Sequence, residues 1–169
     1  MGDFEKFYNS TLRFLSFRPR SEKEIREKLK RKKAEPLVIE KVIAKLKEQK
    51  LINDEEFARW WIEQRTSFRP RSLRLIKLEL RQKGISDETV EDQISKIKDQ
   101  IENDLERAKR LVEKRIKRFR NPSASLRASK FGMTREEKYQ KLGSYLARRG
   151  FDWETIKESI DYAAAHERS

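Results

Sequence analysis

The pentapeptide FRPRS occurs twice, at Phe17–Ser21 and at Phe68–Ser72. A shift of 51 positions carries one copy onto the other and goes on to align Ile25 with Ile76, Leu29 with Leu80, Ile39 with Val90, Glu40 with Glu91 and Ile43 with Ile94. A second shift, of 66 positions, lays residues 142–160 on residues 76–94, matching Leu80 with Leu146, Gly84 with Gly150, Thr89 with Thr155 and Ile94 with Ile160. The same unit is therefore present three times, so the chain must fold as a tandem array and not around a single irregular core. Its boundaries fall at 1–52, 53–102 and 103–169.

Each unit reads as three short helices. Ser21-Glu22-Lys23-Glu24 has the spacing of a capping box, and Thr134-Arg135-Glu136-Glu137 repeats it. Pro36 suits the first turn of a helix in which Ile39, Val42, Ile43 and Leu46 share one stripe. LIND at 51–54 offers Asn53 or Asp54 as the cap of a helix bearing Phe57, Trp60, Trp61 and Ile62, and IEND at 101–104 occupies the equivalent place. Phe57 and Trp61, one turn apart, fit inter-helix packing better than a base-stacking platform, which leaves Trp60 as the more exposed ring. Gly84 and Gly150 follow basic helix ends and suit the left-handed C-terminal conformation, whereas Lys33 stands at this place in the first unit. The expected fold is all-α: three tandem three-helix repeats in an elongated, curved arrangement, with helices near 3–17, 21–33, 36–49, 54–67, 72–83, 87–100, 103–118, 135–149 and 153–165. Residues 119–133, with Asn-Pro, Ser-Ala and Gly, read as a basic loop or hinge.

Charge is the second constraint. Of the 169 residues, 42 are Lys or Arg and 29 are Asp or Glu, giving a net charge of +13. The excess is banded: Arg13–Lys33 holds ten basic and three acidic residues, Arg65–Lys83 seven and one, and Arg107–Arg120 eight and one, whereas 87–106 holds eight acidic and two basic. Such a field fits a polyanionic partner. The basic residues singled out as contacts are Arg18, Arg20, Arg65, Arg69, Arg71, Arg74, Lys77, Arg81, Lys114, Arg115, Arg118, Arg148 and Arg149. Each FRPRS is an interhelical corner, because proline disfavours helix at the residue before it and serine opens the next helix. Two readings of the corner stay open: Phe and Pro fix it while the arginines are solvated, or repeated corners present paired guanidiniums to carboxylates or phosphates.

The chemistry of an enzyme is missing. One histidine, His166, lies in the terminal AAAHERS, there is no cysteine, and neither common glycine-rich nucleotide cradle occurs. Neither a catalytic site, a metal nor a cofactor is expected. No apolar run approaches the roughly 18 residues of a membrane span, and the first residues lack the order of a secretory signal. A cytoplasmic chain is the expectation.

In this order, the paired FRPRS corners, KLKEQKLINDEEFARWWIEQR (45–65), LRLIKLELRQKGISDETVEDQI (73–94) and KLGSYLARRGFDWETIKESI (141–160) resemble RecX, the bacterial regulators of the RecA recombinase. The resemblance spans residues 10–165. It implies a regulator of recombination and DNA repair that lies in the groove of a RecA–DNA filament and inhibits ATP hydrolysis, strand exchange and filament growth. The implied partners are the RecA nucleoprotein filament and single- or double-stranded DNA, with the chain acting as a monomer. The rival is a general nucleic-acid-binding helical repeat protein that coats DNA or RNA.

Overall fold

The computed structural model describes residues 2–120 and 134–166, and among these it holds nine α-helices and no strand. They are α1 (Asp3–Leu15), α2 (Glu22–Arg31), α3 (Pro36–Glu48), α4 (Asp54–Glu63), α5 (Leu73–Gln82), α6 (Asp87–Ile97), α7 (Asp104–Arg120), α8 (Arg135–Ala147) and α9 (Trp153–His166). The order is the one the repeat demands. Of the expected loop at 119–133, residues 119 and 120 continue α7 and the rest lie outside the described residues.

The helix starts follow from their caps. Ser21 and Thr134 each accept from the N–H three residues on, while Glu24 and Glu137 reach back, so both capping boxes form. Pro36 takes the first position of α3. Asn53 and Asn103 cap their own helices, accepting from Glu55 and Glu56 and from Glu106. The aspartates beside them do something else. Asp54 accepts from the N–H of Glu22, and Asp104 from that of Leu73, so each caps the first helix of the preceding corner. Burial outweighs this bond and pushes the Asp54 carboxyl above its ordinary pKa.

α4 does not stay α-helical to residue 67. It widens into a π-turn over Gln64–Phe68, with Arg69 N–H donating to Gln64 O at 3.2 Å and Arg71 N–H to Arg65 O at 2.9 Å. Pro70 has no N–H to continue an α-helical ladder, so the donors on either side of it take more distant carbonyls. The end of α6 does the opposite and tightens, into a 3-10 turn over Lys98–Gln100. Lys33 adopts the left-handed conformation (φ 58°) that Gly84 and Gly150 take at the equivalent places (φ 84° each). A lysine therefore keeps the turn, at a conformational cost of about 1–2 kcal/mol.

Two compact units emerge. The first comprises residues 1–63 and 77–98, the second residues 64–76 and 99–169. The division does not follow the repeats, since the second repeat contributes to both. In the first unit α3 packs against α1 and α2, and α4 against α6. Phe7, Ile25, Leu29, Ile39, Val42, Ile43 and Leu46 form one core cluster there. Phe57, Trp61, Ile62, Leu80 and Val90 are also buried, and Trp60 is the more exposed of the adjacent tryptophans. In the second unit α7 and α8 pack on α9 around Leu111, Val112, Leu142, Leu146, Phe151, Ile156 and Ile160. Among the described residues no helix is long and apolar enough to cross a membrane.

Candidate functional site

Both corners are seated by the same joint. Within the first unit Ser21 Oγ donates to Lys83 O at 2.8 Å, and a Cβ on Gly84 would come within 2.8 Å of Lys23 Cβ. Within the second unit Ser72 Oγ donates to Gly150 O at 2.6 Å and Ser72 N–H to Arg149 O at 3.0 Å. A Cβ on Gly150 would lie 2.5 Å from Leu75 Cβ and 2.7 Å from Ser72 Oγ. The serine in FRPRS thus seats each corner on the glycine turn of the following repeat. That turn must be left-handed and bare to let the corner approach.

The arginines of the two corners meet different fates. Arg18 donates to both oxygens of Glu24, at 2.7 and 3.2 Å, and also to Pro19 O. Lys83 reaches the same carboxylate at 2.7 Å and lies 4.4 Å from the centre of the Trp61 ring. Burial alone would raise the pKa of Glu24, but the bonds from Arg18 and Lys83 prevail and hold it at about 2. Arg20 places its guanidinium 3.7 Å from the centre of the Phe14 ring. Burial lowers its pKa, with Arg18 adding repulsion. At the first corner, then, one arginine is held by a carboxylate and the other by a ring.

The shift of 51 shows that the second corner lacks both partners. Leu75 stands at the place of Glu24, and Arg65 at the place of Phe14. A carboxylate has been removed and a cation added. Burial lowers the pKa of Arg71, and repulsion from Arg65, Arg149 and Arg69 lowers it further. Arg69, Arg71, Lys114, Arg115, Arg148 and Arg149 line an open cleft of about 480 Å³ together with Phe68 and Tyr145, and among the described residues no carboxylate lines it. Arg149 and Arg115 both approach the Tyr145 ring, 3.9 and 5.0 Å from its centre. Arg69, Lys114, Arg148 and Arg149 form no ion pair with any described residue. Six cations lining one open cleft, four of them without an ion pair among the described residues, make a site for a polyanion.

The remaining basic candidates are placed elsewhere. Lys77 pairs with Glu91 at 2.5 Å and Arg81 with Asp87, so neither is a free cation. Arg74 is exposed on α5 and Arg65 is half-buried beside the second corner. The side chain of Arg118 lies outside the described residues. Arg107, inside the third basic band, is fully buried, donating to Asp104 and to Glu102 O, and it holds the turn that caps the second corner. Phe17 and Phe68 do not fix their corners by packing, for they are 82% and 76% exposed. Pro70, by contrast, is buried.

Family models for the first, second and third three-helix domains of RecX match residues 8–46, 53–92 and 102–160. The chain belongs to the RecX family. Among its curated relatives, the regulatory protein RecX of Bacillus subtilis is 33% identical over 94% of this chain, which spans only 55% of that relative. The regulatory protein RecX of Prosthecochloris aestuarii is 31% identical over 95% of both. The chain thus spans about half of the Bacillus protein and nearly all of the other. The crystal structure of RecX from Lactobacillus salivarius superposes with a TM-score of 0.64 at 28% identity, covering 95% of this chain and 96% of that one. In RecX terms the basic cleft takes Arg69 and Arg71 from the second matched domain and Lys114, Arg115, Arg148 and Arg149 from the third. The family's members carry the name of regulators, not of enzymes.

Proposed function

We propose that this RecX-family chain is a cytoplasmic regulator of recombination and DNA repair that binds RecA–DNA filaments in their groove. Bound there as a monomer, it inhibits ATP hydrolysis, strand exchange and filament growth. Its working parts are three repeats, 1–52, 53–102 and 103–169. The observation that carries this reading is the cleft at the second corner, lined by six cations and, among the described residues, by no carboxylate. On this reading the polyanion is the filament, which repeats its acidic and phosphate features at every protomer. The first corner, with its arginines satisfied internally, serves the fold.

The test is the ATPase rate and filament length of cognate RecA on single-stranded DNA, titrated with this protein. Inhibition well below the concentration of DNA sites supports a filament regulator. Inhibition that needs enough protein to cover the DNA would instead identify a coating protein. No change in either quantity at saturating protein would refute both.

A further inference from the structure

The exposed phenylalanines are what the regulator reading leaves over. Both copies of the pentapeptide keep a phenylalanine, and both leave it in solvent. Each ring also borders a basic cleft. Phe17 lines one with Lys6, Arg13, Lys28 and Lys32, and Phe68 lines the cleft with Arg69 and Arg148. Isolated exposed apolar residues are ordinary, but the same large ring exposed beside cations at two equivalent corners is a repeated device.

We propose that Phe68 and its neighbouring cations form a subsite selective for single-stranded nucleic acid, the ring stacking on an unpaired base while Arg69 and Arg148 meet the adjoining phosphates. This rests on the cleft being the anion-facing surface of the protein. The lining favours a nucleic acid over an acidic protein segment. Its six cations are accompanied by two aromatic rings, and stacking of bases on rings with phosphates on cations is how single strands are held without reading sequence. A duplex already stacks its bases on one another and offers the ring nothing, whereas the cations attract either form. Phe17 would form the weaker subsite, because Lys28 and Lys32 beside it already donate to Ser10.

Fluorescence anisotropy of labelled oligothymidylate and of a labelled duplex, without RecA, tests this on the full chain. Phe68→Ala and Phe68→Leu are expected to weaken single-strand binding about tenfold while changing duplex binding by less than about twofold, and Phe68→Tyr is expected to retain both. Wild-type affinity in Phe68→Ala overturns the proposal. So does wild-type affinity in Phe68→Leu, which would mean apolar contact without stacking, or equal loss on the duplex. Intact oligonucleotide binding with lost inhibition of RecA would assign the ring to a protein contact and overturn it as well. Loss of helical content in Phe68→Ala would make the ring structural and equally overturn it. None of these results bears on whether the wild-type chain inhibits RecA, which the ATPase titration decides separately.

Discussion

Replacing Arg18 by alanine and replacing Arg69 by alanine change the same letter of the same pentapeptide, yet opposite properties of the protein should respond. Arg18 gives Glu24 two hydrogen bonds, and the pair is mostly shielded, with side-chain exposures of 28% and 16%. Charge-assisted bonds contribute about 1.5–3 kcal/mol when desolvated and exposed pairs about 0–1, so a partly screened pair with Lys83 still in place falls at about 1–2 kcal/mol. For a chain of this size that lowers the melting temperature by about 3–6 °C. Arg69 is exposed and without an ion pair among the described residues, so its truncation should stay within about 0.5 kcal/mol of wild type. Binding reverses the order. Loss of one phosphate contact makes the plot of log affinity for single-stranded DNA against log salt shallower by about 0.7, which is expected of Arg69→Ala and not of Arg18→Ala. Thermal melts by circular dichroism and a salt titration of oligonucleotide binding measure the two effects. If Arg18→Ala flattens the salt dependence as much as Arg69→Ala does, or if Arg69→Ala is the more destabilising, the division of labour between the corners is wrong.

The pH dependence of stability should carry the mark of Glu24. Its folded pKa of about 2 lies below the ordinary 4.5, so its contribution is complete above about pH 4.5 and fades as pH falls towards 2. The gap in denaturation midpoint between wild type and Glu24→Gln should therefore be flat near neutrality and narrow in acid; a gap that widens in acid contradicts the pairing. Gly150→Ala, which forces a left-handed alanine against Leu75 and Ser72, should lose about 2–4 kcal/mol in urea melts. Gly143→Ala, in the middle of α8 with Ile156 no nearer than 3.9 Å, should gain up to about 1 kcal/mol. Arg107→Ala removes one partner of a buried ion pair and should lose about 2–4 kcal/mol, measured by the same melts; a neutral result would show that Asp104 holds its turn unaided.

The helices and the buried stripes are legible in the sequence because both depend on local signals: caps, prolines and the spacing of Ile, Leu and Val. The role of Asp54 and Asp104 is not, because their partners at Glu22 and Leu73 are 32 and 31 positions away and no local pattern names them. The site is half legible. Banding identifies the right stretches of charge, but the shared pentapeptide groups Arg18 and Arg20 with Arg69 and Arg71. The difference lies outside the repeated letters, at Glu24 against Leu75 and at Phe14 against Arg65, and the alignment that reveals the repeat already contains it. Arg107 passes for surface charge for a like reason, since charge type alone does not tell a buried ion pair from a solvated one. Tyr145 carries no signal until Arg115 and Arg149 are seen against its ring.

The joints also impose a timetable on synthesis. Asp54 leaves the ribosome 32 residues after the Glu22 N–H it caps, and Lys83 O follows the Ser21 hydroxyl by 62. Gly150 O trails the Ser72 hydroxyl by 78. At about 5–20 residues per second, each corner waits several seconds for the chain that completes it. A nascent repeat therefore matures only as its successor emerges, and a pause in translation between residues 84 and 150 would hold the cationic corner open and unseated while the first corner, its partners at Lys83 and Gly84 already made, keeps the finished part folded.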